Sequence, residues 1–315
     1  MNLPKDYLKH PTEIEPNQTL HPEFVEAVEQ NYGLTIVTSS LNHGSYSGRA
    51  WNIATNKGVY LLKTHLDTDS SDLTHHEAEA SFADTLNEKL VGVLQSVRFA
   101  RGTNNTTIFN VREDDYVTLI HHEHIVSKSL LTTSEQFSLG QLMARMHQMM
   151  RDFNHAGLGS TDYMRTLDPQ ELSRLPLIFP DGGYEPYVNF FSPLNYSSLG
   201  LSAQVIHGDW HQGNMSFADP PLLFDLDTLA LGTPAEEIAR TITHWSMDPS
   251  HIKPFFDALT AGYATLSAHE LSLIPRLAIA QLYRKYFEFL DYEDVENAQR
   301  IKHLIPYFKQ AFDLN

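Results

Sequence analysis

Cysteine is absent from all 315 residues. That removes disulfides, thiol nucleophiles and cysteine-ligated zinc from consideration. Long apolar runs are missing as well, and no stretch approaches the ~20 residues a helical bilayer span requires. The N-terminal region carries Lys5, Asp6, Lys9, Glu13 and Glu15 where a secretory signal would need an apolar centre. Basic residues are in deficit, 22 Lys plus Arg against 39 Asp plus Glu, for a formal charge of −17. Such a surface suits neither nucleic acid nor an anionic membrane and keeps a protein dispersed in the cytoplasm. It mildly favours a cationic or neutral small-molecule substrate. No G-x-x-x-x-G-K-[ST] loop occurs, which excludes a P-loop ATPase. Internal repeats and low-complexity tracts are lacking too. A chain of this length makes one large domain or two modest ones, and either buries a sizeable core.

What is present is concentrated in one stretch, His207-Gly208-Asp209-Trp210-His211-Gln212-Gly213-Asn214, followed by Leu222-Leu223-Phe224-Asp225-Leu226-Asp227. An acid on a tight loop, Asp209, is placed to take a hydroxyl proton. Asn214 offers a neutral oxygen ligand, and an apolar strand delivers a second acid, Asp225. Mg2+ prefers a few hard oxygens and leaves its remaining positions to water and phosphate. Transfer of a γ-phosphoryl group then requires mainly positioning and charge neutralisation. A capped turn between two strands would use similar residues, but three ligand-type side chains on one strand–loop–strand unit favour the chemical reading. Asp227 follows Asp225 by two residues and reads either as a solvated turn carboxylate or as a group that supports the metal ligands or contacts substrate.

The stretch resembles the aminoglycoside phosphotransferase and choline kinase superfamily, whose signature is H-G-D-x-H-x-x-N followed by a hydrophobic strand ending in I-D-[FWL]. Here His207, Gly208, Asp209, His211 and Asn214 match, then Phe224-Asp225-Leu226. Upstream, Leu139-Gly140-Gln141-Leu142-Met143-Ala144-Arg145-Met146-His147 looks like the family's L-G-x-x-L-A-x-L-H helix. The resemblance implies an α+β, protein-kinase-like bilobal fold with a strand-rich N-lobe and a mainly helical C-lobe. It implies a kinase using ATP or GTP with Mg2+. One departure stands out. The family's G-D-P…D-L-A run reads Gly232-Thr233-Pro234-Ala235-Glu236-Glu237-Ile238-Ala239, so Glu237 replaces an expected Asp and puts a structural tie in doubt.

Periodicity divides the chain accordingly. Residues 1–20 read as an extended arm with Pro4, Pro11 and Pro16. By the resemblance, residues 21–120 are expected to be the nucleotide-binding N-lobe and 121–315 the catalytic and substrate-binding C-lobe. A helix is expected over His21–Tyr32, with strands over Thr35–Leu41, Ala50–Ala54, Val59–Lys63, Val97–Ala100, Thr106–Val111 and Tyr116–Ile120. A helix over Ser71–Leu90 interrupts them. Beyond the hinge near residues 119–125, helices are expected over Ser134–Arg151, near Gly183–Ser198, over Pro234–Ser246 and from His251 to Phe312. Short strands at 204–207 and 222–225 bracket the catalytic loop.

In that setting Lys63, ending an apolar strand, takes the place of the lysine that holds nucleotide phosphates in kinases. Glu79 is its expected ion-pair partner because it shares the buried face of the following helix with Phe82, Ala83 and Leu86; Glu77 is the alternative. Gly44, Ser45 and Ser47 lie in the loop expected to cover the nucleotide. His207 is expected to brace the loop, and His211 has no assigned role. The His121-His122-Glu123-His124 and His75-His76-Glu77 tracts lack H-E-x-x-H spacing and do not read as zinc sites. Tyr184, Tyr187, Phe190, Phe191 and Tyr196 read as core packing. The first reading is phosphoryl transfer from ATP or GTP to a hydroxyl of an aminoglycoside-, choline- or sugar-like molecule. The alternatives are a protein Ser/Thr kinase of the same fold and a catalytically silent nucleotide-binding regulator.

Overall fold

The computed structural model describes residues 20–42, 50–65, 70–112, 114–123, 125–159, 167–180, 182–191, 199–245, 248–291 and 293–314. They form two compact units, one from the described residues of Met1–Asn87 and Ser96–His124, the other from Glu88–Gln95 and Ile125–Asn315.

The first unit is built on one antiparallel sheet. Helix α1 (Pro22–Tyr32) starts with proline, whose missing N–H is harmless in a first turn, and ends at Gly33 in the left-handed conformation. β1 (Ile36–Leu41), β2 (Ala50–Thr55) and β3 (Gly58–His65) follow as neighbouring antiparallel strands, with Asn56-Lys57 turning β2 into β3. After α2 (Ser70–Lys89) and the two-residue β4 (Gln95–Ser96), β5 (Ile108–Arg112) and β6 (Asp115–His121) complete the order β1-β2-β3-β6-β5. Phe24, Ala27, Val28 and Tyr32 of α1 join Trp51, Ile53, Leu62, Val117 and Leu119 in one core cluster. Alternation along β3 buries Tyr60, Leu62 and Thr64 and turns Leu61, Lys63 and His65 to the other face. α2 meets that second face, where the rings of His65 and His76 lie 3.8 Å apart. The strand expected over Val97–Ala100 shrinks to a bridge between Phe99 and Ile120. β5 already occupies that edge of β6 as far as Thr118, so little of the edge is left to pair with.

The second unit is mainly helical. α3 (Thr133–Met149) and α4 (Pro169–Ile178) each begin with a reciprocal capping box, Thr132 with Glu135 and Asp168 with Glu171. α4 went unanticipated because Pro176 lies in its body, where proline opposes a helix. The helix expected near Gly183–Ser198 is instead a 3-10 turn over Glu185–Phe190, and residues 192–198 lie outside the described residues. Tyr187, Phe190 and Phe191 are buried, and the rings of Tyr187 and Phe191 pack against Tyr283. That is core packing, as the sequence suggested.

Four further helices follow: α5 (Pro234–Trp245), α6 (Ile252–Tyr263), α7 (Ala268–Asp291) and α8 (Val295–Ala311). α3 and α6 touch backbone to backbone. A Cβ on Gly140 would fall 2.0 Å from the Leu259 carbonyl oxygen, and one on Gly262 would fall 1.9 Å from that of Phe137. The two strands expected around the loop do not pair with each other. β7 (Gln204–Ile206) pairs with β10 (Ala230–Gly232), while β8 (Met215–Ser216) pairs with β9 (Leu222–Leu223). Among the described residues no helix is long and apolar enough to cross a membrane.

Candidate active site

The segment from His207 to Asn214 links β7 to β8 and is held from three sides. His207 is fully buried, its Nδ1 taking the Asp209 N–H at 3.1 Å and its Nε2 facing the Phe224 carbonyl at 3.1 Å. Burial pushes the His207 pKa down, opposed by the nearby Glu237 and Asp209 charges. The imidazole is therefore neutral, with Nε2–H donating to Phe224. Gly208 adopts φ +82°, and a Cβ there would meet the Thr228 carbonyl oxygen at 2.6 Å. Only glycine suits that position. Trp210 is buried, and its carbonyl accepts the Trp245 indole N–H at 3.1 Å.

Glu237 makes the tie that its replacement of Asp put in doubt. It is fully buried in α5, and its Oε1 accepts the Gly208 N–H at 2.5 Å. Its Oε2 receives Nε2 of His147, the last residue of the α3 motif. Nδ1 of that histidine faces the Tyr263 hydroxyl at 2.6 Å. Tyr263–His147–Glu237–Gly208 thus runs from the helical core into the loop. Burial first, and then the Glu237 charge, raise the Tyr263 pKa, so its hydroxyl keeps the proton it donates.

Asp209 lies among hydrogen-bond donors. Its Oδ2 accepts the Asn214 amide at 2.9 Å and lies 3.2 Å from His211 Nε2. Its Oδ1 is 3.1 Å from His244 Nε2 and 3.7 Å from an Arg240 terminal nitrogen. Although those contacts are close, the geometry completes no hydrogen bond at Oδ1, which keeps acceptor capacity unspent. Burial would raise the Asp209 pKa. The close His211 and His244 imidazoles and the charge of Arg240 outweigh it and hold the carboxyl well below its ordinary value. Behind His244, which stacks on His211 at 4.9 Å, lies Lys285, its Nζ 2.8 Å from His244 Nε2. Burial and the Arg240 charge push Lys285 down to about 7, while burial and Lys285 push His244 down to about 3.

Asn214 is buried, and its side-chain amide nitrogen is directed at Asp209, 3.2 Å from the backbone oxygen in addition to the carboxylate contact. That turns its carbonyl oxygen away from Asp209. Phe224 N–H donates to the Asn214 carbonyl at 3.0 Å, and the β8–β9 register carries Asp225 alongside Gly213 and Asn214. Asp225 is exposed, with φ +60°, at the start of a 3-10 turn over Leu226–Thr228. One neutral and one anionic oxygen from neighbouring positions of the β8–β9 ladder are the donor types a hard cation such as Mg2+ takes. Asp227 is exposed within that turn.

In the first unit Lys63 is half-buried in the middle of the sheet, opposite Ala50 on β2 and Thr118 on β6. Glu79 is buried on α2 and Glu77 is exposed. The described partners of Glu79 are histidines of its own helix, His76 Nδ1 at 2.8 Å and His75 Nε2 at 3.5 Å. The expected Lys63 pairing is not among them. Gly44, Ser45 and Ser47 lie outside the described residues. In the other histidine tract His121 lies against Tyr60 and Glu123 is bonded by Arg98, while His124 lies outside the described residues.

The sequence reading missed Arg240, His244 and Lys285. Arg240 and His244 are four residues apart on α5 and so share a face, which was the available signal. Lys285, on α7, carries none. Asp209, His211 and His244 each place a ligand atom within 4.8 Å of the others, a spacing a metal could use. The ammonium of Lys285 against His244 Nε2 and the Arg240 guanidinium oppose a cation there.

The profile of the phosphotransferase enzyme family matches residues 39–271. Curated protein sequences return no match. Solved structures with a similar fold include an amicoumacin kinase in complex with AMP-PNP, Ca2+ and Ami, 13% identical with a TM-score of 0.65 and 94% coverage of both chains. A microcompartment-associated aminopropanol kinase is 12% identical with a TM-score of 0.59, covering 93% of this chain and 95% of its own. The choline kinase LicA of Streptococcus pneumoniae is 14% identical with a TM-score of 0.57, covering 91% and 98%. At these identities the likeness is one of fold.

Proposed function

The chain belongs to the phosphotransferase enzyme family, and from that premise we propose that it moves the γ-phosphoryl group of ATP or GTP to a hydroxyl of a small molecule. The observation that carries this reading is Asp209: a carboxylate kept ionised, oriented by Asn214, with an oxygen whose acceptor capacity is unspent. Such a group orients an acceptor hydroxyl and takes its proton as the new P–O bond forms. The reading assigns Asn214 and Asp225 to Mg2+, which when bound supplies charge neutralisation to the phosphates. It assigns nucleotide contacts to Lys63, with Glu79 as its positioning residue, and to Gly44, Ser45 and Ser47. The nucleotide AMP-PNP named with the amicoumacin kinase supports a nucleotide co-substrate. Of the aminoglycoside-, choline- and sugar-like acceptors implied by the resemblance, the charges around Asp209 discriminate, as argued below.

Two measurements test the proposal. ATP or GTP with Mg2+ should raise the melting temperature, since a ligand binding only the folded state stabilises it by an amount that grows with the logarithm of one plus its concentration over Kd. Nucleotide turnover should depend on Asp209. A protein that binds neither nucleotide is not this enzyme.

A further inference from the structure

We propose that the acceptor is anionic: a hydroxyl compound whose carboxylate or phosphate is bound by Lys285 and Arg240 while its hydroxyl lies at Asp209. The inference rests on the phosphotransferase reading above and narrows its substrate.

The chain as a whole is strongly acidic, yet the ring around Asp209 is basic. The charges come from Arg240 on α5 and Lys285 on α7, with the neutral imidazole of His244 lying between Lys285 and Asp209 and His211 beside them on the loop. Among the nearby acids, Glu237 is committed to Gly208 and His147. Asp209 and Glu288 are the acids that act on Lys285, the second from its own helix, and Asp209 is the acid set against Arg240. Arg240 is the more telling of the two. Its Nε is buried without a hydrogen-bond partner, and its terminal nitrogen stands 3.7 Å from Asp209, too far for a direct bond. A buried charged donor left unsatisfied is costly and calls for a partner. Lys285 is bonded, but to a neutral imidazole rather than to a carboxylate.

The group is open to a small ligand, because the side chains of Asp209, His211, Arg240 and His244 are 15–25% exposed. Spacing fits one small molecule. Lys285 Nζ is 2.8 Å from His244 Nε2, itself 3.1 Å from the Asp209 oxygen with unspent capacity. An aminoglycoside or choline would bring a cation to this ring and meet repulsion. An acid would complete charge-assisted bonds there.

The test is a kinetic panel on the full-length protein with ATP or GTP and Mg2+, following nucleotide release and product mass. Glycerate and gluconate are the carboxylate probes, glycerol 3-phosphate and glucose 6-phosphate the phosphate probes. Glycerol, glucose, ethanolamine and choline are the controls. Turnover is expected with probes from one anionic set and not with the controls. Lys285→Met and Arg240→Gln should each raise the acceptor KM, by roughly ten- to a hundredfold for a lost charge-assisted bond, with nucleotide KM shifting much less. Lys285→Arg should recover most of the loss, which separates binding from a folding defect. Turnover with the amines or neutral alcohols in preference to the acids would overturn the inference. So would variants that raise the nucleotide KM instead, since the two cations would then hold nucleotide phosphate. Acceptor-free nucleotide hydrolysis that Asp209→Asn removes stands apart. If it is present while every acid fails, the acceptor class is wrong; if nucleotide neither binds nor turns over, the underlying reading is wrong.

Discussion

Removal of the Glu237 carboxylate probes how the fold holds its loop. Glu237→Ala leaves the Gly208 N–H and the His147 Nε2–H without an acceptor in a site with no solvent access. Each orphaned buried donor costs about 1–3 kcal/mol, so the pair amounts to ~2–6 kcal/mol against a total stability of about 5–15 kcal/mol. At roughly 2–4 °C per kcal/mol for a large domain, melting should fall by about 5–20 °C. Glu237→Gln should be milder, because it keeps an oxygen for Gly208 and His147 can change tautomer to accept from the amide nitrogen. Glu237→Asp restores the family's usual residue but is one methylene short of spanning both donors, so it should fall between the two. Activity should drop further than stability predicts under conditions where the variants remain folded. A ~1 Å misplacement at a reacting group costs on the order of a hundredfold, and Gly208 is the residue before Asp209. Denaturant unfolding gives the first quantity, and hydrogen exchange at the Gly208 amide localises it. Wild-type midpoint and slope for Glu237→Ala, with an equally protected Gly208 amide, would refute the reasoning.

Asp209→Asn should leave nucleotide affinity near wild type and lower turnover by roughly two to four orders of magnitude; undiminished turnover on a competent acceptor would exclude it as the base. Asp225→Ala should shrink the Mg2+-dependent part of the nucleotide-induced melting shift, and an unchanged increment would place the metal elsewhere. Lys63→Met should weaken nucleotide use, Glu79→Gln should do so more mildly, and the double variant should lose less than the sum if they act through one arrangement; full additivity would separate them. For Lys285 the sign follows from its depressed pKa. The unfolded lysine titrates near 10.4 and the folded one at about 7, so between those values the unfolded state holds a proton the folded state lacks. Stability relative to Lys285→Met should therefore rise with pH across that window, and a flat or falling difference from pH 7 to 10 would contradict the assignment.

The elements legible in advance were those whose periodicity is reinforced by their ends. α1 carries an inward stripe between Pro22 and Gly33, and the β2–β3 hairpin turns at Asn56-Lys57. The misses have local causes. α4 is started by the Asp168–Glu171 box, yet Pro176 made its sequence read as non-helical. The Val97–Ala100 strand was curtailed by competition for one edge of β6, a tertiary fact that no window of sequence contains. β8 and β10 are two and three residues long, too short for alternation to register.

The loop from His207 to Asn214 was readable because its chemistry is contiguous, while its surroundings were not. Glu237, His147 and Tyr263 arrive from three helices, and the motif helix revealed two of its purposes only in three dimensions: Gly140 for contact with α6, and His147 for the tie to Glu237. Charge shows the same limit more sharply. A formal charge of −17 describes the average surface and steers diffusion at long range. Salt screens that field beyond about 8–10 Å, whereas Arg240 stands 3.7 Å from Asp209 and Lys285 acts from behind His244, in a partly desolvated site. Where the two signs disagree, the local set decides what binds. An acidic protein with a basic ring around its acceptor carboxylate should therefore associate with its substrate slowly but select strongly for an anion. Raising the salt from 50 to 500 mM should then increase the on-rate for a productive acid while weakening its final affinity only modestly. A steep loss of affinity over that range would mean the binding charges lie at the surface and not in this ring.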